Sequence, residues 1–106
     1  MADSFLDILS KRIPVKWMNP RLQESHECVA QYSRKGIELS PHELNEELKE
    51  AVVHEVIHDI DYQLCLELDE DQVHALSSGL YHALRANPHM FAFSVKLPKR
   101  PTTKRG

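Results

Sequence analysis

Residues 41–66 constrain the fold more than any other stretch, because neither glycine nor proline occurs after the first position. Ser40 is a favourable N-cap, Pro41 suits the first helical position, and Glu43 completes a Ser-x-x-Glu capping box. Apolar side chains recur every three to four residues, as on the buried face of an amphipathic helix. The sequence therefore predicts one long helix over 41–66. Its predicted buried stripe comprises Leu44, Leu48, Val52 or Val53, Val56, Ile60 and Leu64.

A second helix is predicted directly after the segment ELDEDQ. Asp69 can cap this helix, with Gln72 at the third helical position as the partner of a capping box. The helix should end before Pro88, because proline disfavours helical backbone at the preceding residue, Asn87. Its predicted apolar face comprises Val73, Leu76, Leu80 and Leu84.

The N-terminal part of the chain is predicted to supply a small sheet. Residues 3–12 allow one or two helical turns, and residues 13–17, IPVKW, suggest a strand with Val15 and Trp17 on one face. The segments HECVAQY and GIELS flank SRKG as in a β-hairpin, where Gly36 supplies the permissive backbone of a tight turn. The predicted class is α+β, with a short antiparallel sheet or hairpin packed on two long helices.

Charge is distributed unevenly along the 106 residues, a length that fits a single domain. Residues 1–95 carry 8 basic and 16 acidic side chains, whereas residues 96–106 carry five basic and no acidic ones. We therefore expect a domain over 1–95 and a basic, disordered tail over 96–106, with nucleic acid an unlikely partner of the acidic body.

Location is predicted from what the sequence lacks. It has neither an apolar run of about 20 residues nor a cationic signal peptide, which predicts a cytoplasmic protein without a membrane partner. Cys28 and Cys65 fit no disulfide framework, which favours free thiols in a reducing compartment.

Residues 54–58 read HEVIH, which matches the HExxH pattern of zinc peptidases. His54 and His58 lie four apart on one helix face and can converge on one ion at about 2.0–2.1 Å each. Glu55 is rotated by about 100° from His54, so its carboxylate flanks the ion and can take a proton from the water that the ion activates. The alternative is two ordinary surface histidines. The two histidines lie apart from the inward-facing apolar side chains of the helix, and this separation favours zinc binding. The inward-facing side chains are Val53, Val56, Ile57 and Ile60.

A third zinc ligand is expected from another element. Along the helix axis Asp61 lies about 10 Å from His54 and Cys65 about 16 Å, too far for either to converge on the same ion. The next helix, packed antiparallel, is the simplest source. Glu70 at its start is the preferred ligand, and His74, one turn later, is the competitor.

The stretch HEVIHDIDYQLCLELDEDQVHALSSGL, preceded by a GIELS strand and a capped helix, resembles the ImmA/IrrE-like zinc metallopeptidases, especially their small phage-encoded members. The resemblance spans residues 13–87. It implies a minimal zincin of the gluzincin type, whose following helix brings a glutamate in an E-x-x-A-(N/D)-x-F-A-like motif. EDQVHALS stands in that place, with Glu70 at the ligand position and His74 at the Asn/Asp position; Val73 and Leu76 fall on the small apolar and aromatic positions.

The sequence departs from this family at two positions. The usual glycine before the second histidine is Ile57, and the Asn/Asp of the second motif is His74. In gluzincins an acid there commonly orients a zinc-bound histidine, so this role is open, with Asp59 and Asp61 as candidates.

The resemblance implies a zinc-dependent peptidase with a protein substrate, such as a transcriptional repressor, in a bacterial or phage-infected cytoplasm. His74 and Tyr81 share the helix face of Glu70, so either can donate to the tetrahedral oxyanion, although a solvated His74 and a packed Tyr81 with its hydroxyl at the surface are the favoured interpretation. In the family, an edge strand near the zinc lets an extended peptide add to the sheet. GIELS is the candidate, but the sequence equally allows an ordinary strand.

Two other functions are compatible with the sequence. One is a catalytically inactive zincin-like protein-binding module of phage or bacterial origin, in which zinc mainly stabilises the fold. The other, weaker, is nucleic-acid binding through the basic tail.

Overall fold

A computed structural model describes residues 4–19, 30–33 and 36–100. Within these ranges the strands form one sheet in the order β1-β2-β4-β3, followed along the chain by two helices. The predicted α+β class is confirmed. No helix in the described ranges is both long and apolar enough to cross a membrane. The elements are β1 (Ser4–Ile8), β2 (Lys11–Trp17), β3 (Ala30–Ser33), β4 (Gly36–Leu39), α1 (Asn45–Leu64) and α2 (Glu70–Ala86).

The sheet is mixed rather than antiparallel, which corrects the prediction. β2 and β4 pair in parallel, with Val15 opposite Ile37, whereas β3 and β4 form the predicted antiparallel hairpin, with Tyr32 opposite Ile37. β3 runs antiparallel to β2, and the hairpin then reverses the chain, so that β4 runs parallel to β2. The GIELS strand is therefore interior, and β1 and β3 are the two edge strands of the described sheet.

The helical turns predicted for residues 3–12 are wrong, because β1 pairs antiparallel with β2 over its whole length. Leu9 and Ser10 connect the two strands, with φ angles of 52° and 69°. Positive φ at both positions is the pattern of a type I′ hairpin turn, which glycine and asparagine favour. Leucine and serine give no such signal, so the hairpin is set by strand pairing and by burial of Ile8 in the core.

Glycine is required at position 36 for two reasons, its backbone conformation and its close approach to β2. Its φ is 126°, in a region that other residues rarely adopt. A Cβ at this position would lie 2.4 Å from the carbonyl oxygen of Pro14 on β2. The close approach of β4 to β2 therefore depends on a residue without a side chain.

α1 begins at Asn45 rather than at residue 41, so the predicted capping box is wrong. Leu44 is the N-cap residue and makes no side-chain capping bond. The Ser40 hydroxyl instead accepts a hydrogen bond from the backbone N–H of His42 at 3.3 Å and stabilises the preceding turn. At the other end α1 stops at Leu64, because Cys65 takes a left-handed conformation with φ of 53°.

α2 begins as predicted. The Asp69 side chain accepts from the Gln72 backbone N–H at 2.8 Å, and the Gln72 side chain accepts from the Asp69 N–H at 2.9 Å. The helix ends at Ala86, before Pro88, which is also confirmed. α2 packs antiparallel to α1, since Glu70 at the start of α2 lies 3.1 Å from His58, whereas Arg85 near its end lies 2.8 Å from Glu46 in the first turn of α1.

The buried helix faces match the predicted ones only in part, since Leu48, Val52 and Val73 are buried as predicted. On α1, Leu48 and Val52 are buried, but Leu44 at one end of the predicted stripe is 71% exposed. On α2, Leu76 and Leu80 remain about half exposed. The buried side chains of α2 are Val73, Ser77 and Tyr81, so a face with two polar groups turns towards α1.

The core lies between the sheet and α1. A segment without helix or strand, 91–100, follows α2, and its Val95 and Leu97 pack against this core. Arg100 donates to the Pro41 carbonyl oxygen at 2.6 Å and to Asn45 Oδ1 at 2.7 Å. Contacts with the body therefore continue to residue 100, past the expected boundary at 95, while residues 101–106 lie outside the described ranges, as does Cys28. The core side chains are Ile8, Ile13, Val15, Ile37, Leu39, Leu48 and Val52.

Candidate metal centre

The structure brings together three side chains predicted to bind zinc. His54 and His58 lie on one face of α1, with ring centroids 4.9 Å apart, and Glu70 reaches them from the first turn of α2. His54 Nε2 lies 2.9 Å from Glu70 Oε2, and His58 Nε2 lies 3.1 Å from Glu70 Oε1. The ligand atoms of the three residues all lie within 4.8 Å of one another.

This geometry requires a hydrogen atom or a metal ion between each ring nitrogen and the carboxylate. A lone pair on an imidazole nitrogen repels a carboxylate oxygen at such distances, so a proton or a metal ion must separate them. Ligands about 2.1 Å from a tetrahedral zinc ion are themselves about 3.4 Å apart. The observed separations of 2.9 and 3.1 Å need to open only slightly. The donor set thus fits zinc.

Ser77 orients His54. Ser77 is only 1% exposed. Its hydroxyl donates to the His74 carbonyl oxygen at 3.1 Å and lies 3.2 Å from His54 Nδ1. Because its one proton points to the carbonyl, we assign Ser77 Oγ as the acceptor of the Nδ1–H of His54. The tautomer with the proton on Nδ1 leaves a lone pair on Nε2, the atom facing Glu70. Metal-binding histidines commonly have such a partner.

Glu55 lies beside this cluster and is only 6% exposed. Burial, and to a lesser extent the negative charge of Glu70, raise the pKa of the Glu55 carboxyl to about 7. A carboxyl group with a pKa near neutrality can both accept and return a proton at physiological pH. Glu55 therefore has the electrostatic surroundings of an acid–base group.

Two open cavities meet at His54 and Glu55, which line both of them. The first has a volume of about 330 Å³, and the second, of about 290 Å³, includes His58 and Glu70. β3 forms the wall opposite α1: Ala30 lines both cavities, whereas Tyr32 lines the second. The cluster thus lies in a groove along an edge strand.

His74 and Tyr81, the predicted oxyanion donors, have different surroundings. His74 lies outside the three-ligand group, with its ring centroid 6.2 Å from that of His54, and lines the first cavity. Tyr81 is 3% exposed, and its hydroxyl donates to Glu46 Oε1 at 3.1 Å. Tyr81 lines neither cavity, so the structure does not place its hydroxyl at the metal centre.

Asp59 and Asp61, the two candidates for orienting a metal-binding histidine, both have other hydrogen-bond partners. Asp59 is 1% exposed and accepts hydrogen bonds from the Tyr32 hydroxyl at 2.5 Å and from Gln63 Nε2 at 2.6 Å. Asp61 Oδ1 accepts from the backbone N–H of Leu68 at 3.1 Å, which stabilises the connection between the helices. Asp59 instead fastens β3 to α1 beside the metal centre.

Sequence reasoning missed Ser77 and the acidic wall of the first cavity. Ser77 follows Glu70 by seven residues, a spacing that puts both on one helix face. Glu47 and Glu50 precede His54 by seven and four residues and line the first cavity. These spacings were available signals, but a serine and two glutamates in exposed helices have ordinary explanations.

Comparisons with protein-family models, with curated proteins and with solved structures gave no match for this chain. The resemblance to the ImmA/IrrE-like family stays a prediction from the sequence motif. What can be proposed about function therefore depends on the geometry of the site.

Proposed function

We propose that this protein is a zinc-dependent metallopeptidase that cleaves a protein substrate. The observation that carries the proposal is the convergence of His54, His58 and Glu70, with the buried Glu55 beside them. A zinc ion held by the three ligands would supply Lewis acidity, which acidifies water and polarises a carbonyl group. The ImmA/IrrE-like resemblance adds a transcriptional repressor as a candidate substrate and the cytoplasm of a bacterium, or of a phage-infected host, as the location.

Each side chain then has a defined task. His54 and His58 hold the ion through Nε2, Glu70 completes the ligand set, and Ser77 fixes the ring of His54. Glu55 would take a proton from the attacking water and return it to the leaving amine, a role that its buried position beside the metal centre suits. His74, which lines the first cavity, is the candidate donor to the oxyanion.

An extended peptide would bind along β3, the edge strand of the described sheet that lies beside the metal centre. An edge strand presents backbone N–H and C=O groups that a peptide can pair with, whatever its sequence. β3 lines both cavities, so a paired peptide would pass His54 and Glu55. This groove supports a protein or peptide substrate over a small molecule.

Hydrolysis is tested with zinc-loaded protein and a mixture of peptides of defined sequence, followed by mass spectrometry. Wild type should cleave, and Glu55→Gln should lower the rate by about 100-fold or more, the usual contribution of a general base. Glu67→Gln is the matched control, because it removes one carboxylate from an exposed position between the helices. Equal rates in wild type and Glu55→Gln, with zinc and fold retained, would exclude the proposed mechanism.

One observation favours the alternative, a catalytically inactive protein-binding module. The Tyr81 hydroxyl is engaged with Glu46, so of the two predicted oxyanion donors only His74 remains near the site. In that case zinc would stabilise the fold, and β3 and the groove would bind a protein partner. Glu55→Gln would then leave biological activity unchanged, whereas a charge reversal within the groove would abolish partner binding.

A further inference from the structure

The first cavity has acidic walls and a floor of small side chains. Glu47 and Glu50 of α1 line it together with Ala30 of β3, and Ala51 and Ser77 complete the floor. No lysine or arginine occurs among the described residues around this cavity. Glu50 Oε1 has His82 Nε2 as an ion-pair partner, but at the long distance of 3.7 Å. Both carboxylates therefore keep capacity for a cation.

Glu55 gives a second sign that the cavity takes a cation. Its side chain lines the same cavity and is 6% exposed, yet no hydrogen bond to another described residue holds its carboxylate. Burying a carboxylate without a donor is unfavourable, and a positive charge in the cavity offsets this cost. The buried acid and the acidic walls thus favour the same kind of ligand.

We propose that this cavity is a subsite for a lysine or arginine side chain of the peptide substrate. The aliphatic stem would lie along Ala30 and Ala51, and the charged head would pair with Glu47 and Glu50. A volume of about 330 Å³ is small for a whole ligand but accommodates one long side chain. The inference rests on the proposed function, because the same peptide would have to reach the metal centre.

The basic side chain is required on one side of the scissile bond. His54 and Glu55 lie where the two cavities meet, so the bond to be cleaved lies between the cavities. Besides Glu55, the second cavity contains one acidic side chain, that of Glu70, whose oxygens face the two histidines. Its neighbours Gln31 and Tyr32 are uncharged. A preference for lysine or arginine should therefore occur at one position of the substrate, the one beside Glu47 and Glu50.

The test uses a pair of hydroxamate-capped tripeptides that differ only in lysine or norleucine beside the hydroxamate, so that charge is the sole difference. Their affinities for the zinc-loaded protein are measured by calorimetry, after the zinc content has been determined. The lysine peptide should bind about tenfold more tightly to wild type, the scale of a close charge pair at a partly desolvated site. In Glu47→Gln/Glu50→Gln the two affinities should agree within about twofold.

Asp7→Asn/Glu67→Gln is the matched control, because it removes two carboxylates from exposed positions outside the groove. This control should keep the preference for lysine. Equal affinities in wild type, a preference that survives in Glu47→Gln/Glu50→Gln, or loss of the preference in the control would each overturn the subsite. Binding of neither peptide to protein that holds one zinc per chain would also overturn it.

Failure of the proposed function has a separate signature. If wild type binds no zinc, the metallopeptidase proposal falls, and the same two peptides are then compared on the metal-free protein by NMR. The cavity is formed by side chains of the chain alone, so the lysine peptide should still shift the Ala51 and Ser77 signals more than the norleucine peptide does. Equal shifts would overturn the subsite in that case.

Discussion

The helix pair and the N-terminal hairpin differ in how far their structure follows from local sequence. In the helix pair, the spacing of His54 and His58 and the Asp69–Gln72 capping box act over a single turn, and both predictions match the structure. In the β1–β2 hairpin the turn residues Leu9 and Ser10 have positive φ angles, which leucine and serine rarely adopt. The metal centre is thus built on locally specified elements, while the sheet behind it depends on pairing between distant residues.

The largest expected effect is on the sheet. Gly36→Ala should lower the free energy of unfolding by about 3 kcal/mol or more, because the methyl group would collide with the Pro14 carbonyl oxygen in a left-handed backbone. Urea denaturation provides the measurement. Gly79→Ala is the control: nothing lies within 4 Å of its Cβ, and within α2 it should stabilise by about 1 kcal/mol. Similar effects of the two changes would mean that β4 does not approach β2 closely.

The next effect concerns Glu55, whose buried carboxylate lowers the stability of the folded protein at high pH. Because the folded pKa of about 7 lies above the ordinary value of 4.5, the folded state retains a proton that the unfolded state loses between these pH values. The stability of the metal-free wild type should therefore fall as pH rises from 5 to 8. Glu55→Gln should be more stable than wild type by about 2 kcal/mol at pH 8, and this difference should shrink towards pH 5.

Thermal unfolding at both pH values measures this difference. Glu67→Gln, which changes an exposed carboxyl group, should follow the wild-type pH dependence. A Glu55→Gln protein with the same pH dependence as wild type would show that Glu55 titrates like an exposed acid.

Ser77→Ala tests the helix pair itself. Loss of the acceptor for His54 Nδ1–H should weaken zinc binding by about tenfold, the lower range for partners of metal-bound histidines. Ser78→Ala, at the next position of α2, should leave the affinity unchanged. Competition with a chromogenic chelator measures both. If the two variants bind zinc equally well, Ser77 does not orient His54.

The smallest effect is expected in the hairpin turn. Replacing Leu9 and Ser10 by Asn and Gly should stabilise the protein by about 1 kcal/mol, because these residues accept positive φ in a type I′ turn. Leu9 is 51% exposed, so little packing is lost. Ser94→Gly, in the segment that follows α2, should not stabilise the protein. Destabilisation by Asn-Gly in urea denaturation would contradict the turn assignment.

How much could be predicted from the sequence follows from the same comparison. Both helices, the β3–β4 hairpin and the common face of His54 and His58 were predictable, because periodicity and spacing encode them within a few residues. Glu70 was predictable because the next helix packs antiparallel and begins beside them. The parallel pairing of β2 with β4 was not, since parallel register depends on contacts between residues about 22 apart in sequence.

The start of α1 was mispredicted for a related reason. Ser40 has the sequence signature of a cap, but it stabilises a separate turn whose Pro41 carbonyl accepts from the distant Arg100. The role of Ser77 escaped because a serine on an amphipathic helix is usually solvated. Its burial arises only when α1 packs against it.

The central claim, that His54, His58 and Glu70 hold one zinc ion, is tested most directly by calorimetric zinc titration. Wild type should bind one zinc per chain, and His58→Ala should lose about 100-fold or more in affinity through loss of a ligand. His82→Ala, which removes an exposed histidine of α2, should bind as wild type does. Wild type without bound zinc, or His58→Ala with wild-type affinity, would contradict the account.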